Sequence, residues 1–353
     1  YEGKEALVQG YFDALKNELR VYEDRLKDCR IKTVFIGGGT PSLVDAEYIY
    51  ALMNEVRQRT NLADRAEISI ETNPGTLTYE KLVMYRTMGI NRLSIGLQAW
   101  QDELLKSLGR IHSSAEFLDN LNLAKKVGFK NINVDLIFGL PGQSVNDWVQ
   151  AVVNVMKLDI THVSCYSLKI EEGTVFRDRL EKGLLALPDD EQDRQMYWFA
   201  VEKLEKYGLR QYEISNFARP GFECRHNLIY WKAEEYLGIG AGAHSYLDGK
   251  RYNNTCAVED YILSIGNGLV PVENIQEICK DEEMAEFMIL GLRLSEGVNA
   301  DDFRQRFGAD LLDIYGENIK RLTKRQLLET GTDRIRLTPE GFDLANQVFM
   351  EFI

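Results

Sequence analysis

The sequence predicts an α/β fold: a partial (β/α) barrel of parallel strands, followed by a mainly helical, winged-helix-like domain. Three observations carry this. Short β-branched and aliphatic runs recur through residues 1–217, stretches with helical spacing of apolar residues lie between them, and the pattern changes character from about Glu273. Such alternation means parallel strands, because each parallel pair needs a crossover, usually a helix. We expect three segments: the barrel over 1–217, a connecting segment over 218–272 and the C-terminal domain over 273–353.

The elements follow in order. Glu5 to Lys27 reads as one amphipathic helix, with Leu7, Tyr11, Leu15, Leu19, Tyr22 and Leu26 on a single stripe. No strand precedes it, so the first β/α unit lacks its strand. Strands are expected at Lys32–Ile36, Glu67–Glu71, Arg92–Leu97, Asn131–Phe138, His162–Leu168 and Arg210–Ile214. Beyond Glu273 come two short helical patterns broken at Gly297, a further helix, a hairpin around Gly331-Thr332-Asp333 and a last helix. Helices followed by a two-stranded wing make the winged-helix pattern.

Composition narrows the function classes. The chain has 353 residues, 44% of them hydrophobic and 27% charged, and a formal net charge of −13. No run of about 18 apolar residues suggests a membrane span. The charge opposes phosphate backbones, so nucleic acid is not expected as a partner. Lys320-Arg321 and Lys324-Arg325 could touch phosphate, but acidic residues outnumber basic ones between Lys280 and Ile353, and a solvated helix face is the better reading. The first residues show no secretory pattern, and five scattered cysteines fit a reducing cytoplasm. A homodimer is allowed by the sequence but not required.

The chemistry should sit at the carboxyl ends of the strands, where parallel β/α folds place their sites. Those ends read Gly37-Gly38-Gly39-Thr40, Glu71-Thr72-Asn73, Gln98, Asp135 and Gly139-Leu140-Pro141-Gly142. Each alone has a plain structural alternative: a tight turn, a cap, a solvated side chain. Together they suit an amino acid joined to a nucleoside. Glycines expose backbone to an ammonium or carboxylate, Glu71 accepts from an amine, Arg110 grips a carboxylate, and Gln98 and Asp135 can bond a ribose. ATP and NAD fit poorly, for want of a P-loop lysine or a G-x-G-x-x-G turn.

In this order "GGGTPSL", "ETNPGTL", "RLSIGLQ", "LGRIHS" and "VDLIFGLPGQS" resemble the motifs of the radical S-adenosylmethionine (SAM) proteins related to oxygen-independent coproporphyrinogen III oxidase. The resemblance implies a radical SAM-type partial barrel and a SAM site at Gly38, Gly39, Thr40, Glu71, Gln98, Arg110 and Asp135. It also implies a 4Fe–4S cluster, held in that family by a C-x-x-x-C-x-x-C loop after the first strand. This chain has no such motif: Cys29, Cys165, Cys224, Cys256 and Cys279 are far apart. The missing first strand and missing cysteine loop read as one absence. We expect the chain to start just after the loop, the cluster to belong to the complete protein only, and residues 1–353 alone to be inactive in radical chemistry.

A second motif, "CRHNLIYW" over residues 224–231, is similar to the H-N-x-x-Y-W signature of a haem chaperone branch of that family. The resemblance implies His226 as the ligand of haem iron, with Tyr230 and Trp231 offering flat surfaces to the macrocycle. A His-Asn pair capping a turn, with Tyr and Trp packed in a core, would look the same. His244, in "YLGIGAGAHSY", is a reserve ligand candidate. The expected function is therefore haem carriage to an acceptor protein. The alternative is an enzyme decarboxylating coproporphyrinogen III, for which no catalytic residue can be named.

Overall fold

The computed structural model describes residues 5–353. The N-terminal stretch forms two helices, α1 (Glu5–Val21) and α2 (Glu23–Asp28), not the single helix expected. The break falls at Tyr22, whose hydroxyl pairs with that of Tyr252. Next come β1 (Arg30–Ile36), α3 (Ala46–Arg59) and β2 (Asn61–Thr72). They lead into α4 (Tyr79–Thr87), β3 (Arg92–Gln98), α5 (Asp102–Ser107) and α6 (Ser114–Val127). The sequence then runs through β4 (Asn131–Phe138), α7 (Val145–Met156), β5 (His162–Ser167), α8 (Val175–Glu181) and α9 (Asp190–Lys206). Local sequence sets the helix starts: Ser113 with Glu116, Ser144 with Asp147 and Asp189 with Gln192 each form a capping box.

One seven-stranded sheet has the order β1-β2-β3-β4-β5-β7-β6, with β6 at Arg210–Glu213 and β7 at Asn216–Ala218. The pairs β2–β3, β3–β4 and β4–β5 are parallel, as expected. The far edge differs. The chain turns back at Ile214-Ser215, and β7 inserts between β5 and β6, antiparallel to both. Three residues are too few for an apolar run to stand out, so β7 left no signal in the sequence.

Register explains an unusual alternation. Glu71 pairs with Ser94, Ser94 with Asn133 and Asn133 with His162, while Asp135 lies opposite Gly96 and Ser164. Side chains alternate across a strand, so these polar groups share one face, and Ile70, Leu93, Ile95, Val134, Leu136 and Val163 share the other. The apolar face is buried, at 0% exposure for each of those six. Parallel strands covered on both sides usually read as continuous hydrophobic runs; a polar face on such a sheet marks the place where a ligand replaces core.

After β7 comes α10 (Arg225–Trp231), then β8 (His244–Leu247), β9 (Lys250–Asn254), α11 (Val258–Gly266) and β10 (Val272–Glu277). The three strands form an antiparallel sheet, order β10-β9-β8. The remainder comprises α12 (Lys280–Gly291), β11 (Val298–Asn299), α13 (Ala300–Phe307) and α14 (Leu311–Lys324). It ends with β12 (Leu328–Thr330), β13 (Arg334–Leu337), α15 (Pro339–Asp343) and α16 (Ala345–Phe349). The expected wing is the β12–β13 hairpin, to which β11 adds a third strand. Gly297 is demanded there: its φ is +70°, and a Cβ would lie 2.1 Å from the Ile335 carbonyl.

Contacts divide the described chain into two compact units, one of residues 35–43 and 67–223, the other of residues 5–34, 44–66 and 224–353. In the first, α7 packs on α9, where the Trp148 indole donates to the Met196 carbonyl at 2.7 Å. In the second, α1 packs on α3 and α11 around a fully buried carboxylate, Glu18. Its oxygens accept from the Tyr261 hydroxyl at 2.5 Å, Asn254 Nδ2 at 2.7 Å and the Gly240 N–H at 2.9 Å.

Candidate functional site

The strand-end residues of the first unit assemble around Glu71. Its carboxylate accepts the Gly38 N–H at 3.2 Å. A Cβ at Gly37 would lie 2.7 Å from the Phe35 ring and 2.9 Å from Glu71 Oε2, so any larger residue there displaces one of these side chains. Gly38 and Gly39 have φ of +82° and +121°, and nothing lies within 4 Å of where their Cβ atoms would be. The glycines therefore let Glu71 approach and leave bare backbone facing open space. Burial pushes the Glu71 carboxyl above its ordinary range, the Asp135 charge adds to this, and the Gly38 bond and Arg92 oppose it.

Asp135 is held in place by Ser94 Oγ at 2.8 Å and Asn133 Nδ2 at 2.7 Å. The network continues to His162, whose Nδ1 meets Asn133 Oδ1 at 2.6 Å and whose Nε2 meets the Tyr212 hydroxyl at 2.9 Å. Asn133 turns its NH2 to Asp135, so Oδ1 is the acceptor and His162 carries its proton on Nδ1. Burial and, secondarily, Arg92 hold this imidazole neutral, well below its usual range. Thr40 Oγ1 accepts from Asn73 Nδ2 at 3.1 Å. Gln98 adopts φ +70°, strained for a side-chain-bearing residue, at a register irregularity of the β3–β4 ladder. Its Nε2 would lie 2.8 Å from a Cβ on Gly96, with Asn73 Oδ1 at 3.2 Å. Arg110 stands in the turn from α5 to α6, half-buried, its N–H donating to the Leu105 carbonyl at 2.9 Å. Glu71, Gly38 and Asp135 thus come together, Thr40 and Gln98 both neighbour Asn73, and the described contacts of Arg110 are with α5 and the charge field of His112.

In the second unit, α10 carries the H-N-x-x-Y-W residues and has no fully buried side chain. Both His226 nitrogens are engaged: Nδ1 lies 2.8 Å from Thr33 Oγ1 on β1, and Nε2 lies 2.8 Å from the Tyr230 hydroxyl one turn on. The two rings meet edge-on, centroids 5.1 Å apart, and Tyr236 caps Tyr230 at 4.6 Å. Burial first, then Tyr236 and Cys224, push the Tyr230 phenol up to about 12, so it stays protonated at neutral pH. The Arg293 guanidinium lies over the Trp231 ring at 4.4 Å, and the indole N–H is buried without an acceptor among the described residues. His244 is exposed at the start of β8. Beside α10, Thr33 also lines a cavity of about 150 Å³.

Sequence reasoning missed Thr33, Arg293 and Glu18. Thr33 is one residue of a strand 193 positions before His226, Arg293 is one arginine in an acidic segment, and Glu18 sits on the apolar stripe of α1, where a charge at a core position was the available signal.

Residues 9–153 match the radical SAM superfamily and residues 278–344 the HemN C-terminal domain. The Heme chaperone HemW of Bacillus subtilis (strain 168) is 38% identical over 347 residues, covering 98% of this chain and 92% of that relative. The chain belongs to the HemW family. The HemW of Lactococcus lactis subsp. lactis (strain IL1403) is 37% identical, over 98% of this chain and 90% of its own. The solved radical SAM enzyme coproporphyrinogen III oxidase (HemN) from Escherichia coli shares the fold, with a TM-score of 0.85, 22% identity and coverage of 100% of this chain and 84% of that one.

Membership of the superfamily implies SAM and a 4Fe–4S cluster. The open backbone at Gly38 and Gly39 beside a half-buried carboxylate fits the cationic amino-acid end of SAM. The described residues do not fit the cluster: no three His, Cys, Asp or Glu side chains among them come together as a metal group, and the cysteines form no disulfide and share no cluster spacing. Among the described residues no helix is long and apolar enough to cross a membrane.

Proposed function

We propose that this protein is a cytoplasmic haem-binding chaperone that passes haem to an acceptor protein, with a SAM site as a second ligand site. The observation that carries the reading is His226: a half-buried imidazole aimed by Thr33 and Tyr230 from the helix that bears the H-N-x-x-Y-W residues. The names of the HemW relatives support it. His226 serves as the iron ligand, while Tyr230 and Trp231 flank the macrocycle. The test is titration with haem, followed by mixing with an apo-haemoprotein. A shifted Soret band that moves to the acceptor on mixing is expected; turnover of coproporphyrinogen III with no haem binding would replace the chaperone by the oxidase, which now has only the shared fold behind it.

Tyr230 covers the nitrogen that iron needs. Its hydroxyl must swing away from Nε2 before a metal can approach, which costs one hydrogen bond, about 1 kcal/mol net. Tyr230→Phe keeps the ring and removes the competitor, so it should bind haem several-fold more tightly. Weaker binding by Tyr230→Phe would show that the hydroxyl itself contacts the ligand.

SAM is assigned to Gly38, Gly39, Thr40, Glu71, Gln98, Arg110 and Asp135. Glu71 and the glycine carbonyls take the ammonium, Arg110 the carboxylate, and Gln98 and Asp135 the ribose. When bound beside a reduced cluster, SAM supplies radical chemistry; this chain's residues supply only its binding and orientation. Calorimetric titration should show Glu71→Gln weakening SAM binding roughly tenfold. Because only the ionised carboxyl attracts an ammonium, binding by the parent should weaken as pH falls through the raised Glu71 pKa, above the ordinary 4.5. Glu71→Gln should lack that limb; an identical pH profile in both proteins would remove Glu71 from the site.

A further inference from the structure

The cavity beside α10 has a chemistry of its own. Arg225, Leu228, Ile229 and Lys232 are spaced i, i+3, i+4 and i+7, and so form one face of the helix, adjoining the stripe of His226 and Tyr230. Leu228 and Ile229 give apolar wall, while Lys32, Arg225 and Lys232 bring three cations against one carboxylate among the described lining residues, Glu234. In a chain of net charge −13 this is a local excess of positive charge. Glu234 is already committed to Lys32 at 3.1 Å. Arg225 is oriented by the backbone, donating to the Arg65 carbonyl at 2.8 Å, whereas the Lys232 ammonium has no ion-pair partner among the described residues.

We propose that this cavity is a carboxylate subsite, receiving one propionate of a haem whose iron faces His226. The inference rests on the haem reading above and adds the polar end of the ligand. Three features select that group. The volume, about 150 Å³, leaves room for a carboxyethyl arm. The walls match the arm, methylenes against Leu228 and Ile229 and the carboxylate against Arg225 and Lys232. Thr33 connects the two halves, since it lines the cavity and bonds His226 Nδ1; a ligand seated in the cavity adjoins the residue that orients the imidazole.

The experiment compares haem with haem dimethyl ester, in which both propionates are capped, by Soret titration of the full chain. Lys232 is the residue to change, because it is exposed and has no ion-pair partner among the described residues. The parent should favour haem over the diester by roughly tenfold or more, tenfold being about the lower end of what one charged hydrogen bond contributes. Lys232→Gln should narrow that preference and Lys232→Glu should abolish it, with diester affinity and Soret position unchanged in all three proteins. Equal affinity of the parent for haem and diester, or equal weakening of both ligands by the substitutions, would overturn the subsite while leaving haem binding in place. A parent that binds neither ligand would overturn the haem reading itself.

Discussion

Replacing His226 by alanine is expected to abolish the Soret shift on haem addition and to lower haem affinity by more than roughly a hundredfold, since groups one shell further out than the ligand already contribute 10- to 100-fold in metal sites. The fold should survive. The imidazole is half-buried, and its removal leaves Thr33 and Tyr230 each short of one partner, about 1–3 kcal/mol of stability. Circular dichroism melting beside the titration separates the two effects, and added imidazole should restore part of the shift by entering the vacated space. A His226→Ala protein that binds haem as the parent does, with His244→Ala losing it, would move the ligand to β8.

Glu18→Ala is expected to give the largest change in stability among the substitutions considered, a loss of about 3–5 kcal/mol, because three donors on Gly240, Asn254 and Tyr261 lose the acceptor they share at a fully buried position. Denaturant midpoints measure it; a loss under about 1 kcal/mol would mean that water or relaxation replaces the carboxylate. The pH dependence has a defined sign. Burial raises the Glu18 pKa against three opposing hydrogen bonds, so the folded protein holds its proton to higher pH than the unfolded chain does. The contribution of Glu18 to stability is thus greatest at the acid end of the window that opens at 4.5 and declines as pH rises through it. The advantage of the parent over Glu18→Gln should shrink over that window.

Much of this was legible because the signals were local. Alternating runs marked the parallel strands, and Gly37-Gly38-Gly39 marked a place where backbone must stay bare. Glu71 and Asp135 could be paired because strand ends in such folds meet at one edge. What stayed hidden was long-range. The turn-back of β7 depends on an edge that three residues cannot announce, the Tyr22–Tyr252 pair joins residues far apart in the chain, and the partners of His226 and Trp231 include tertiary contacts with Thr33 and Arg293. The strain at Gln98 is likewise invisible in a sequence, where glutamine at a strand end looks ordinary.

The Thr33–His226 bond also bears on the order in which the protein is made. The unit that contains it is assembled from both ends of the chain, residues 5–34 and 44–66 with 224–353, whereas the other is nearly continuous, 67–223 with a short leading piece. During synthesis the latter can be complete while α1 still waits for α11, and Thr33 for α10, to leave the ribosome. Glu18 waits longest, for Tyr261 lies 243 residues downstream. A chain that stops before α10 therefore lacks the Thr33–His226 and His226–Tyr230 bonds, and this unit closes only once the residues from 224 onward have been made.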